Sequence, residues 1–539
     1  MSFLLNHLPV LPILIPMLAG ALMLLLKEKR RTINTLLSFG SFAAQALVAF
    51  ILIKSQVATS AEDATQPIYV YILGNWNAPF GIVLVVDRLT AIMLSMTACV
   101  ALAAFLYSLA FWRRVGVHFY PLLQFIFMGI NGAFLTGDLF NLFVFFEIFL
   151  SASYGLLLHG SGILRVNSSM HYITVNLVGA SLLLIGISMI YAITGTLNLA
   201  DLSLQAGNLQ ASDRHLFDTA CSILGVAFLI KAAAWPLNFW LPSAYTAASA
   251  PVACVFALMT KVGIYALLRV GSLLVPTGAP AAFGGEWMYF IGLTTILFAT
   301  FAMLNQKNVA SLGAYAVIFS SGTLLTALGM PGVSLTGPSL FYMVNSVFAT
   351  AAFFLLIELI KRIESFERSV LNVSLEAFGL DQQEDSDYSS TVVGVKIPAA
   401  MAFLGISFLA CAMIISGVPP LAGFIGKFAI LLQAMNMAEG TGPSWRAWLL
   451  IITLLIAGLA SIIAFSRTGV RLFWVPDNLN KPVLTFREAG AIIFLLGLTV
   501  VMTVMADPVM TFMDHTASSL NDPSQYVEAV LGSNALEGK

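Results

Sequence analysis

Four ionisable side chains stand inside long apolar runs. Lys231 lies in CSILGVAFLIKAAAW, Lys261 in ACVFALMTKVGIYALL, Lys427 in PPLAGFIGKFAILLQAM and Glu147 in LFNLFVFFEIFLSASYGLLL. A charge held in hydrocarbon is costly unless a partner, water or loss of the charge relieves it, so each such group is a site candidate by default. Amines and a carboxylate in that setting take up and release protons: an amine beside a carboxylate holds its proton, and one whose carboxylate withdraws gives it up. Three amines with one acid point to charge movement through a membrane.

The neighbours of these groups extend the pattern. Ser151 and Tyr154 follow Glu147 at i+4 and i+7, a single helical stripe expected to face protein or water and not lipid. Lys261 has Thr260 beside it, Tyr265 one turn on and no acid in its own span, which suits a relay that is neutral for part of its cycle. Lys427 follows a glycine-rich interruption, where irregular backbone is tolerated only if it lines a cavity. Asp138 in TGDLFN reads as a helix start, with an ion entrance as the alternative; the neighbours Asp87 and Arg88 begin a span and do not face one another on a helix, so an interfacial anchor is at least as well supported as a functional role. None of the six histidines falls mid-span, which leaves His159 and His171 as candidates for a cytoplasmic mouth. Cys99, Cys221, Cys254 and Cys411 are far apart, and no nucleotide loop, HExxH or nucleophile elbow occurs in a plausible context. No cofactor, metal or nucleic acid is expected.

The elements that must hold these residues are all helical. With 59% hydrophobic and 9% charged residues and a mean hydropathy of +0.92, the chain cannot present a polar surface to water. It reads as an all-α polytopic protein of about fourteen spans, each roughly 20 residues long. Alternating those spans places sixteen lysines and arginines in one set of loops and four in the other. That bias puts the rich side in the cytoplasm and both termini outside. The N-terminal run lacks a basic n-region and a cleavage site, so it reads as a retained first span. Two overlong runs should be broken, one by Pro236 and Pro242 after about residue 235, the other by Pro419 and Pro420 among glycines. Paired broken helices are a pointer to a transporter whose working site lies at the breaks. The stretch 361–396 reads as a cytoplasmic connector and 507–539 as a polar, solvated tail.

At these residues the chain resembles the antiporter-like membrane subunits shared by respiratory complex I and the multisubunit Mrp-type Na+/H+ antiporters. The similarity runs from about residue 80 to 470 and is carried by GDLFNLFVFFEIFLSASYGLLL, FLIKAAAWPLNFWLPSAYTAASAPVACVFALMTKVGIYALLR and GVPPLAGFIGKF. The resemblance implies fourteen helices with two inverted five-helix repeats, discontinuous helices 7 and 12, and a hydrated polar axis at the membrane midplane. It divides the chain into helices 1–3 (1–110), a first repeat (111–273), a second repeat with its connector (274–466), helix 14 (467–506) and the tail. Glu147 then stands for the fifth-helix glutamate, Lys231 and Lys261 for the seventh- and eighth-helix lysines, and Lys427 for the terminal residue, whose identity as lysine is similar to the Mrp D-type subunit. Where many relatives carry a histidine and a lysine on the eleventh helix, this chain has Asn345 and Thr350; the tenth keeps Tyr315 and Ser320 but no histidine. The implied function is a secondary transporter, the proton-translocating subunit of a monovalent cation (Na+)/proton antiporter in a bacterial inner membrane, working with other subunits of a hetero-oligomer among membrane lipid. The alternative is a proton-pumping membrane subunit of a redox complex.

Overall fold

The computed structural model describes residues 7–26, 31–59, 68–111, 118–159, 162–275, 283, 285–378, 399–435, 444–473 and 484–532. Its helices are α1 (Leu11–Leu25), α2 (Arg31–Thr59), α3 (Arg88–Ser108), α4 (Phe119–Leu135), α5 (Leu139–Leu158), α6 (Ile163–Thr194), α7 (Leu199–Gly207), α8 (Ala211–Ala232), α9 (Trp240–Ala247) and α10 (Ala250–Leu274). They continue as α11 (Glu286–Asn305), α12 (Val309–Leu328), α13 (Thr336–Phe378), α14 (Ala399–Ser416), α15 (Ala422–Met435), α16 (Trp445–Phe473), α17 (Phe486–Val504), α18 (Ala506–Asn521) and α19 (Pro523–Gly532). Thirteen of these are long and apolar enough to cross a membrane. The 17-residue α4 adds a fourteenth crossing, while α8 with α9, and α14 with α15, each share one. The chain is a multi-pass membrane protein.

Helix burial shows where the centre lies. The most apolar stretches of α13, α10 and α12 are 100%, 94% and 89% buried, against 39% for α2 and α6. Lys261 on α10 and the hydroxyls of α10, α12 and α13 therefore sit in the middle of the bundle, and α2 and α6 present apolar residues such as Leu36, Phe50, Leu177 and Ile185 outward.

Outside the helix breaks, the structure departs from the sequence reading in three places. The apolar run from residue 82 to 110 is not one span: Val83–Val86 forms a strand (β2) paired antiparallel with Tyr69–Ile72 (β1), Tyr69 facing Val86. Four consecutive branched or apolar residues favour the strand, and Asp87 then starts α3 by accepting a hydrogen bond from the Thr90 amide at 2.9 Å. Asp87 and Arg88 are also buried, at 6% and 5% exposure, and are not interfacial anchors. Finally, the tail is helical through α18 and α19. Met513, Thr516, Ala517 and Leu520 recur at helical spacing and pack inward, followed by Tyr526 and Val530. The connector begins as a continuation of α13 to Phe378, and residues 379–398 lie outside the described set.

Candidate functional site

The two breaks expected from sequence are present, and they hold two of the lysines. The first half-helix α8 ends at Ala232, with Ala233 left-handed at φ 56°, and the chain runs irregularly to Trp240. Pro236 sits in that unwound stretch. Pro242 does not break anything: it lies in the first turn of α9, where a missing amide hydrogen costs no intrahelical bond. The carbonyl of Ile230 at the helix end accepts from the Ala233 amide at 3.2 Å and from the Trp240 indole at 3.3 Å, and the Trp235 amide donates to Thr295 at 2.9 Å. In the second break α14 ends at Ser416, Gly417 is left-handed at φ 79°, and Pro419 and Pro420 separate it from α15. Helix ends expose unpaired carbonyls that attract a cation. Here the cation is Lys427, whose Nζ donates to Ile415 and Ser416 carbonyls, both at 2.9 Å.

Each buried lysine has a partner from another element. Lys231, 5% exposed, donates to Asn176 Oδ1 at 3.1 Å and to its carbonyl at 3.4 Å. Lys261, 1% exposed, donates to Ser321 on α12 at 3.3 Å. Lys427 additionally lies over the Phe319 ring, 4.6 Å from its centroid. Phe319 and Ser321 are two residues apart, so α12 touches both amines. Gly263 brings α10 against the end of α8: a Cβ there would meet the Ala232 amide at 2.6 Å and the Lys231 carbonyl carbon at 2.9 Å. Lys231 and Lys261 thus belong to two helices in backbone contact.

Glu147 stands apart from this interior row. Its Oε1 is buried with no hydrogen-bond partner among the described residues, and it makes no direct ion pair with Lys231, though the two charges remain within electrostatic reach. The stripe is directed outward: Ser151 is exposed and Tyr154 half-buried. Glu147 itself is half-buried, between that exposed serine and the interior row. Tyr154 meets Tyr172 edge to face at 5.4 Å, and Tyr172 in turn shares a 2.8 Å hydrogen bond with Ser153.

The secondary candidates divide. Ser320 on α12 donates to the Ser346 hydroxyl on α13 at 2.9 Å, whereas Thr350 donates to the Ser346 backbone carbonyl of its own helix at 2.7 Å. Asn345 is 1% exposed with both amide atoms unpartnered, a buried polar group directed into the bundle. Thr260 bonds its own helix at Ala257, and Tyr315 packs near Phe298. Asp138 caps α5 by accepting from the Asn141 amide at 2.9 Å. His159 closes the other end of α5, where Arg165 bonds its carbonyl at 2.7 Å, and His171 is exposed nearby on α6. Asn176, Ser321, Ser346 and Phe319 escaped the sequence reading. An amide in HYITVNLVGAS was the one visible signal among them.

The family model described as NADH:quinone oxidoreductase/Mrp antiporter, TM, matches residues 136–458, which include all four ionisable groups. The D subunit of a probable K+/H+ antiporter of Rhizobium meliloti (strain 1021) is 45% identical over 98% of this chain and 98% of its own. The D subunit of the Na+/H+ antiporter of Bacillus subtilis (strain 168) is 30% identical over 98% of this chain and 99% of its own. Among solved structures, a chain of the Mrp complex from Dietzia sp. DQ12-45-1b superposes with a TM-score of 0.77 at 21% identity, covering 98% of this chain and 99% of that one. A chain of respiratory complex I from Thermus thermophilus does so with 0.69 at 22%, covering 95% and 99%. These two show a shared fold. The chain belongs to the NADH:quinone oxidoreductase/Mrp antiporter membrane family and, within it, to the D-type antiporter subunits.

Proposed function

We propose that this chain is the proton-translocating subunit of a multisubunit monovalent cation/proton antiporter, with Glu147, Lys231, Lys261 and Lys427 as its relay. The observation that carries the reading is the interior row of three buried ammoniums, each bonded to a polar atom contributed by another helix or by a helix end, and two of them at helix breaks. Static packing does not call for three desolvated amines. Partners that a lysine can exchange, an amide for Lys231 and a hydroxyl for Lys261, suit groups that gain and lose protons. Glu147, half-buried and set apart from the interior row, is the entry group. Lys427 hands protons on at the far end, while Ser320, Ser346, Asn345 and Thr350 supply the hydroxyls and amide of the central stretch.

We read 111–273 and 274–466 as inverted five-helix units, because each break falls in the fourth helix of its unit and the two units enter the membrane from opposite sides. The loop charge bias supports a bacterial inner-membrane protein with both termini outside.

The test is to express the complete antiporter complex and follow a pH-sensitive dye in everted vesicles after adding Na+, K+ or Li+. At least one cation collapses the proton gradient in the wild type, and Glu147→Ala, Lys231→Ala or Lys427→Ala abolishes the response while the complex still assembles. Undiminished antiport in all three variants contradicts the relay.

A further inference from the structure

Tyr265 and Arg269 follow Lys261 at i+4 and i+8 on α10, so the three share one face of a helix buried along nearly its whole length. The row ends in a buried ion pair that plays no part in the relay described above. Arg269 Nη2 donates to both Asp87 carboxylate oxygens, at 2.7 and 2.6 Å, its Nε to the Tyr265 hydroxyl at 3.4 Å, and Tyr265 donates to the Phe134 carbonyl at 2.7 Å. The guanidinium carbon lies 5.2 Å from the centre of the Tyr526 ring, which α19 places over it. Beside it, Arg88 reaches Ser519 of α18 at 3.4 Å, while its Nε is buried without a partner among the described residues. A narrow cleft between this pair and the two terminal helices has a mixed lining, with Asp87, Arg269, Ser519 and Tyr526 beside Ile68 and Leu520.

A buried ion pair is weak evidence of stabilisation, because apolar residues of similar volume often serve as well. Its register with Lys261, and the cleft that the carboxylate borders on its other side, are what a stabilising clamp leaves unexplained. We propose that this row is a gated branch of the relay, opening on the membrane face that carries α18 and α19, with Asp87 as the proton-carrying group, the Arg269 contact as the closed gate and Tyr526 as its cover. The inference rests on the relay reading, since Lys261 is its inner end. In the open state Arg269 releases Asp87 and keeps its charge against the Tyr526 ring. The Tyr265 hydroxyl turns from Phe134, gives its proton to the Asp87 carboxylate and takes one from the Lys261 ammonium. Tyr265 is thus restored, Lys261 is left neutral, and Asp87 passes its proton to water in the cleft.

The experiment uses the assembled antiporter complex in everted vesicles, with complex content measured for every variant. Tyr265→Phe keeps the ring and removes the hydroxyl; the double variant Asp87→Asn with Arg269→Gln keeps the local charge balanced, so that a purely structural pair is replaced without a lone buried charge. The expected result is normal assembly and antiport reduced by about a hundredfold in both, the lower end of what a positioned proton-transfer group contributes. Wild-type antiport in Tyr265→Phe overturns the branch, and should the double variant fail to assemble, Tyr265→Phe alone decides. Lys261→Met separates the two readings: if it is inactive while Tyr265→Phe is fully active, the branch alone falls, and if it too is fully active, the relay falls with it.

Discussion

The two helix breaks use their lysines differently. At the first, the Ile230 carbonyl at the end of α8 is satisfied by the Ala233 amide and the Trp240 indole, and Lys231 is bonded sideways to Asn176. At the second, Lys427 is itself the cap, with one ammonium on two carbonyls of the last turn of α14. The first amine can therefore change partners without disturbing the helix that carries it, whereas the second cannot leave its site without stranding the end of α14. Function and stability are separable at the first break and joined at the second.

That contrast can be broken most sharply with Lys231→Met. Antiport should fall by about a hundredfold or more, with the melting temperature of the purified complex unchanged; a matching loss of stability would put the two breaks in one class. Lys427→Met should remove antiport and also cost roughly 1–3 kcal/mol for each buried carbonyl left unpartnered, read as a lower melting temperature. Gly417→Ala probes the same end from the backbone. Its left-handed φ of 79° strains any other residue, and the new Cβ would lie 2.7 Å from Lys427 Cδ, so about 1–3 kcal/mol is lost, with a partial fall in antiport as the amine is displaced. The smallest effect belongs to Trp240→Phe, which deletes one indole hydrogen bond worth about 0.5–1.5 kcal/mol and should leave antiport near normal.

The breaks and their lysines were legible because a charge or a proline pair in an apolar run has few readings. Fourteen crossings were legible because hydrophobic length is set by the bilayer. The partners were not. Asn176 lies 55 residues from Lys231 and Ser321 60 from Lys261, and the Asp87–Arg269 pair spans 182, so nothing local announces them. The outward direction of Ser151 was also hidden, since periodicity fixes which residues share a stripe and not where the stripe points. The terminal helices left a signal that went unread: Met513, Ala517 and Leu520 already form an apolar stripe in ADPVMTFMDHTASSLN. Polar residues between them gave the segment a tail-like composition.

Lys261 offers the most direct measurement, because it is the most deeply buried of the three lysines and bonds only a serine hydroxyl among the described contacts. Cation-driven proton flux should be compared between wild type and Lys261→Met in vesicles matched for assembled complex. The account predicts flux indistinguishable from vesicles lacking the complex; wild-type flux in Lys261→Met contradicts it.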